Sequence, residues 1–84
     1  MKYYLYMVQC VDETIYTGIT TDLERRVEEH NSSDKGAKYT RSRRPVKLVY
    51  SEEHESRSEV SKREYHIKKK MSRGEKMVLI GKFK

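Results

Sequence analysis

The chain has one cysteine, one proline and no tryptophan. A lone cysteine excludes an internal disulfide and any zinc site built on a cysteine cluster, and it suits a reducing compartment. Only 35% of the 84 residues are hydrophobic, so any core must be small and well patterned. No apolar run approaches the ~20 residues of a membrane span. The opening MKYYLY has neither the long apolar stretch nor the cleavage site of a signal peptide. No repeat or linker divides the sequence. These absences predict a single domain over residues 1–84, cytoplasmic and with no membrane partner.

What the chain does have is clustered positive charge. Lys and Arg number 19 against 13 Asp and Glu, a net charge of +6. Lys35, Lys38, Arg41, Arg43 and Arg44 lie within ten residues that contain no acid, and Lys62, Arg63, Lys68, Lys69 and Lys70 form a second group. Such runs can be simply solvated surface. Two separate clusters, with Tyr39 available for base stacking inside the first, favour a nucleic-acid partner.

The pattern along the chain reads ββαβαα. Lys2–Cys10 is a tyrosine-rich strand with apolar residues on both faces, as in a covered central strand. A polar turn near Asp12 leads into a second strand, Thr14–Thr20. Thr21 and Glu24 have capping-box spacing and start a helix to about His30. Residues 31–44 lack periodicity and read as a long basic loop, closed by Pro45 before a strand over Val46–Tyr50. Ser56/Glu59 and Ser72/Glu75 are further capping boxes, opening a helix to about Lys70 and a short final one. The expected fold class is α+β: a small three-stranded antiparallel sheet covered by helices.

Polar residues fall where apolar ones are expected. Val60, Ile67 and Met71 mark the inward seam of the long helix, and Glu64 completes the series 60, 64, 67, 71. An unpaired carboxylate there costs several kcal/mol on burial, so it needs an arginine, a metal ion or an open cleft. The alternative is an acid at the edge of the stripe, paired with Arg63 or Lys68. In the first helix Arg26 and His30 share the 23, 26, 27, 30 face with Leu23 and Val27. Together with Tyr6 and Tyr16 on adjacent strands, they supply a guanidinium to grip phosphate and groups able to move protons. Glu64 is then a candidate ligand for a divalent hard cation, in a one-metal site.

These positions resemble the GIY-YIG nuclease superfamily over nearly the whole chain. Tyr4-Leu5-Tyr6 stands at the first triplet and Tyr16-Thr17-Gly18 at the second, with Tyr4 replacing Gly and Thr17 replacing Ile. Arg26, His30-Asn31 and Glu64 follow in the family's order. Gly36-Ala37-Lys38-Tyr39-Thr40 and Arg44-Pro45-Val46 look like the branch of junction nucleases and small standalone proteins. The resemblance implies a metal-dependent endonuclease acting on branched or damaged DNA in repair or recombination, with RNA the alternative nucleic-acid partner. It implies catalytic roles for Tyr6, Tyr16, Arg26, His30 and Glu64. Tyr16 would be the general base, Arg26 would hold the phosphate, and Glu64 would bind Mg²⁺ or Mn²⁺. Lys35, Lys38, Tyr39, Arg41, Arg43 and Arg44 would track the backbone. Family members usually carry a second, target-selecting domain, so a protein partner supplying that selection is expected. The rival reading is a non-catalytic nucleic-acid adaptor on the same fold. One geometric condition separates right from wrong: Tyr6 and Tyr16 must share a sheet face.

Overall fold

β1 (Tyr3–Gln9) lies in the middle of the sheet, and its sequence explains why. Leu5, Tyr6, Met7 and Val8 are all buried, so both faces of this strand are covered. In the computed structural model, which describes residues 1–32 and 35–83, it is flanked by β2 (Ile15–Thr20) and β3 (Lys47–His54), antiparallel to both. The sheet order is β2-β1-β3. Four helices complete the chain: α1 (Leu23–Ser32), α2 (Lys38–Arg41), α3 (Arg57–Lys70) and α4 (Arg73–Phe83).

Alternation along β1 divides the core in two. Leu5 and Met7 face α3 and α4, where they meet Val60, Ile67 and Ile80, with Tyr3 and Tyr50 packed alongside. Tyr6, Val8 and Cys10 face the other way, towards Val46 and the α1 residues Leu23 and Val27. Each fully buried aliphatic side chain contributes about 1.5–3 kcal/mol, which is how so few apolar residues hold the fold.

Two of the three expected helix caps form as read. Ser56 Oγ accepts from the Glu59 amide at 3.1 Å. Ser72 and Glu75 complete a reciprocal box, at 3.2 and 2.8 Å. The third differs: Asp22, not Thr21, caps α1, its Oδ1 accepting from the Arg25 amide at 3.1 Å while Thr20 Oγ1 takes the Asp22 amide.

The stretch read as loop, residues 31–44, is more ordered than its composition suggests; residues 33 and 34 lie outside the described part. α1 continues to Ser32, and Lys38–Arg41 forms a helical turn. Its cause is tertiary. Gly36 is buried against α1 so closely that an added Cβ would lie 2.7 Å from the Glu29 carbonyl oxygen. Beyond it, Asn31 clamps the start of β3 by exchanging two hydrogen bonds with the Val46 backbone, at 2.9 and 2.7 Å.

β3 also runs further than its apolar stretch, to His54 rather than Tyr50. Its polar end is held by cross-strand charge. Lys2 Nζ is 3.2 Å from Glu53, and Glu52 accepts from Arg63 Nε at 2.7 Å, joining β3 to α3.

Candidate active site

The hairpin decides whether the two tyrosines can cooperate. Gln9 pairs with Ile15, leaving five residues in the loop, and Val8 faces Tyr16. The odd loop therefore puts Tyr16 on the face shared by Val8 and Tyr6. Asp12 shapes the turn by accepting from Thr14 N and Oγ1, and Glu13 takes the positive φ of 69°. The tyrosine rings end 6.5 Å apart between centroids.

Gly18 sits directly across from Tyr6 in the ladder. A Cβ there would come within 2.6 Å of the Tyr6 hydroxyl oxygen and 2.7 Å of its Cζ. The ring lies where a side chain on β2 would otherwise stand. Gly→Ala in a strand ordinarily stabilises by roughly 0.5–1 kcal/mol. Here Tyr6 is 1% exposed and cannot move aside, so the sign reverses. Gly18→Ala is expected to destabilise by about 1–3 kcal/mol in urea unfolding. A neutral or stabilising result would mean that the ring is not held against this glycine.

What holds Tyr6 is a chain of hydrogen bonds whose direction follows from donor counting. Thr40 Oγ1 donates its one hydrogen to the Ala37 carbonyl at 3.0 Å. It must therefore accept from His30 Nδ1, 2.7 Å away. A neutral His30 with its hydrogen on Nδ1 has Nε2 free as an acceptor, and the Tyr6 hydroxyl donates to it at 2.8 Å. The phenol oxygen in turn accepts from Arg26 Nε at 3.3 Å. The order runs Arg26, Tyr6, His30, Thr40, Ala37.

Electrostatics agrees with that order. Burial, aided by the Arg26 charge, pushes the His30 imidazole down to about 4, so it is neutral at physiological pH. Burial likewise pushes the Tyr6 phenol up to about 12, only partly opposed by Arg26. Tyr6 is thus a locked donor. Tyr16 differs: it is half-buried, it packs edge-on to His30 at 5.4 Å, and Tyr39 stacks on it at 5.9 Å. Its hydroxyl forms no hydrogen bond with any described residue, which leaves it available.

Arg26 is oriented from several sides. Its Nη1 donates to Glu29 at 3.1 Å and to the Lys35 carbonyl at 2.7 Å. Glu64, on the seam of α3, is neither deeply buried nor isolated; its side chain is 27% exposed and pairs with Lys68 at 3.2 Å. It sits at the rim of the stripe, so the full burial cost anticipated for it does not arise. Its charge reaches the same cluster, adding to the upward shift of Tyr6.

The basic positions separate into two kinds. Lys38, Tyr39 and Arg41 are exposed on α2, and Lys35 is exposed just before it. Arg43 and Arg44 are half-buried and engaged in the fold. Arg43 pairs with Asp12 at 3.0 Å and lies 4.2 Å over the Tyr39 ring; Arg44 Nε donates to the His30 carbonyl at 2.5 Å. Sequence reasoning missed Thr40 and Glu29. Glu29 carried a usable signal, being three residues after Arg26 on a helix. Thr40 carried none, because its meeting with His30 depends on how residues 35–41 fold back.

An ordered set of two tyrosines, an arginine, a histidine and a rim glutamate can be set beside known proteins. The family model described as the GIY-YIG catalytic domain matches residues 2–77. The chain belongs to the GIY-YIG family. Among GIY-YIG relatives, a UPF0213 protein of Desulfotalea psychrophila is 67% identical over 66 residues, covering 79% of this chain and 60% of that protein. A UPF0213 protein of Syntrophus aciditrophicus is 58% identical over 79 residues, covering 94% of this chain and 90% of that one. The solution NMR structure of a protein from E. faecalis is similar with a TM-score of 0.66 at 44% identity, covering 99% of this chain and 86% of the other. That of a UPF0213 protein from Bacillus halodurans gives 0.61 at 43%, covering 96% and 84%. The unusual second triplet leaves the site intact. Thr17 pairs with Met7, so it faces away from Tyr16 and towards α3 and α4.

Among the described residues, no three His, Cys, Asp or Glu side chains are grouped to hold a metal ion. Mg²⁺ keeps several waters and takes one or two carboxylates together with substrate phosphate oxygens. A single rim carboxylate, partly exposed, fits such an ion and does not fit a closed protein cage. Among the same residues no helix is long and apolar enough to cross a membrane.

Proposed function

We propose that this protein is a divalent-cation-dependent endonuclease that hydrolyses phosphodiester bonds in branched or damaged DNA. The observation that carries the reading is the division between the tyrosines: Tyr6 is a locked donor, while Tyr16 presents an uncommitted hydroxyl beside it. In the reaction, Tyr16 acts as the phenolate, orienting the attacking water and taking up its proton to return to the phenol. Arg26, with Nε and Nη1 anchored, offers Nη2 to a phosphate oxygen and stabilises the charge gathering on the pentacovalent phosphorus. His30 and Tyr6 keep that guanidinium in place. Glu64 would hold Mg²⁺ or Mn²⁺, which supplies charge stabilisation for the departing 3′-oxygen. Lys35, Lys38, Tyr39 and Arg41 lie at the edge of the site and follow the strand, giving salt-dependent affinity with little sequence preference. A protein partner supplies the choice of target.

The test is cleavage of labelled branched, flapped, single-stranded and duplex DNA with Mg²⁺ or Mn²⁺, comparing wild type with Glu64→Gln. Cation-dependent cutting that falls at least tenfold in the variant is expected. Tight, salt-sensitive binding with no cutting of any substrate would instead make the protein a nucleic-acid adaptor.

A further inference from the structure

Lys68 stands one helical turn beyond Glu64 on α3 and touches both halves of the site. Its Nζ is 3.2 Å from Glu64 Oε2 and 5.7 Å from the centroid of the Tyr16 ring. An ordinary i,i+4 ion pair on a helix contributes little to stability and needs no function. This one differs in position. It spans from α3 to an aromatic ring of the reaction face, and the carboxylate it occupies is the one a divalent cation would need. The ammonium and the cation then compete for the same oxygens and repel each other across a few ångströms.

We propose that Lys68 is a positioning residue that holds Glu64 in the unliganded site, then moves to the phosphate of the bound strand when a divalent cation takes the carboxylate. The proposal rests on Glu64 being the cation ligand. The phosphodiester brings the negative charge that lets both cations stay, so the substrate and the metal each strengthen the other's binding. Without DNA, Lys68 keeps metal affinity low. By thermodynamic reciprocity, a coupling seen in metal binding must appear equally in DNA binding.

The experiment is a Mn²⁺ titration of the DNA-free protein, followed by paramagnetic broadening of the Tyr16 ring signals in wild type, Lys68→Met, Lys68→Arg and Glu64→Gln. Lys68 is 42% exposed in its side chain, and Met is as good a helix former as Lys, so the variant folds. Lys68→Met is expected to bind Mn²⁺ about tenfold more tightly than wild type, with Lys68→Arg unchanged. In binding to flapped DNA at a fixed saturating Ca²⁺ concentration, the log–log salt slope of Lys68→Met becomes shallower than that of wild type by about 0.9, the loss of one phosphate contact. Mn²⁺ affinity within twofold of wild type, no binding by Lys68→Met, or an unchanged salt slope would each overturn the proposal. Glu64→Gln separates the two readings. Broadening that survives in it removes Glu64 as the ligand, whereas broadening lost in it but unaltered in Lys68→Met removes only the role given to Lys68.

Discussion

Tyr16→Phe is expected to slow DNA cleavage by about 100- to 10,000-fold, the range for losing a proton-transfer group, while leaving stability within ~0.5 kcal/mol. The phenylalanine ring keeps the stack with Tyr39 and the edge contact with His30, and the lost hydroxyl had no partner among the described residues. Tyr6→Phe, chemically the same change one strand away, has a different signature. It leaves His30 Nε2 buried without its donor and Arg26 Nε without its acceptor. A buried polar atom stranded in this way costs about 1–3 kcal/mol. Tyr6→Phe therefore loosens the fold, and it slows cleavage through Arg26 rather than through the water. Single-turnover rates paired with urea unfolding distinguish the two. Equal destabilisation by both variants would show that Tyr16 is also structural; cleavage that is insensitive to Tyr16→Phe would remove it as the base.

The parts of the fold that were legible in the sequence are those set by local periodicity. β1 reads as a covered central strand because six consecutive residues, Tyr3 to Val8, are apolar or aromatic, and the last four of them are buried. Ser56 and Ser72 read as caps because the capping box is a short-range hydrogen-bond pattern. Thr21 misled because Asp22 offers a better-placed oxygen one residue later, and both spacings fit an N-terminus. The end of β3 was not legible, since Glu52, Glu53 and His54 have poor strand propensity. Pairing with β1, the Lys2–Glu53 contact and the Arg63–Glu52 contact outweigh it.

The site divides in the same way. Arg26 and His30 could be placed on one helix face from their spacing, and a polar residue on an inward face already marks a cleft or a network. That His30 belongs to a network could not be read, because its other partner is Thr40 and the two meet only after Gly36 packs on α1. For Glu64, the reading as an acid at the stripe's edge describes what is found: it is paired with Lys68, and its charge reaches Tyr6. The basic stretch looked uniform in sequence, but the fold draws Arg43 and Arg44 inward.

His30 also sets how the protein responds to acid. In the folded chain its imidazole is held down to about 4 by burial and by the Arg26 charge, against an ordinary value of 6.5; Glu29 opposes this and Arg44 adds to it. Between those values the unfolded chain binds a proton that the folded chain refuses. Stability therefore rises with pH in this window: it is fully present above about 6.5 and lost as pH falls towards 4. The slope for one such group is about 1.4 kcal/mol per pH unit, or on the order of 3 kcal/mol across the window. For a chain of this size that is a drop in melting temperature of more than about 10 °C between pH 7 and pH 4.5. Protonation would put a hydrogen on Nε2, facing the Tyr6 hydroxyl hydrogen, so the Tyr6 hydroxyl must turn its hydrogen away and loses its acceptor as the charge appears. His30→Gln can still accept from Tyr6 and donate to Thr40 but cannot titrate. It should be less stable than wild type at pH 7, with a much flatter dependence than wild type between pH 6.5 and 5. Denaturant unfolding at half-unit pH steps measures both slopes. Parallel slopes for wild type and His30→Gln would mean that the acid sensitivity lies elsewhere and that His30 is not held neutral by its burial.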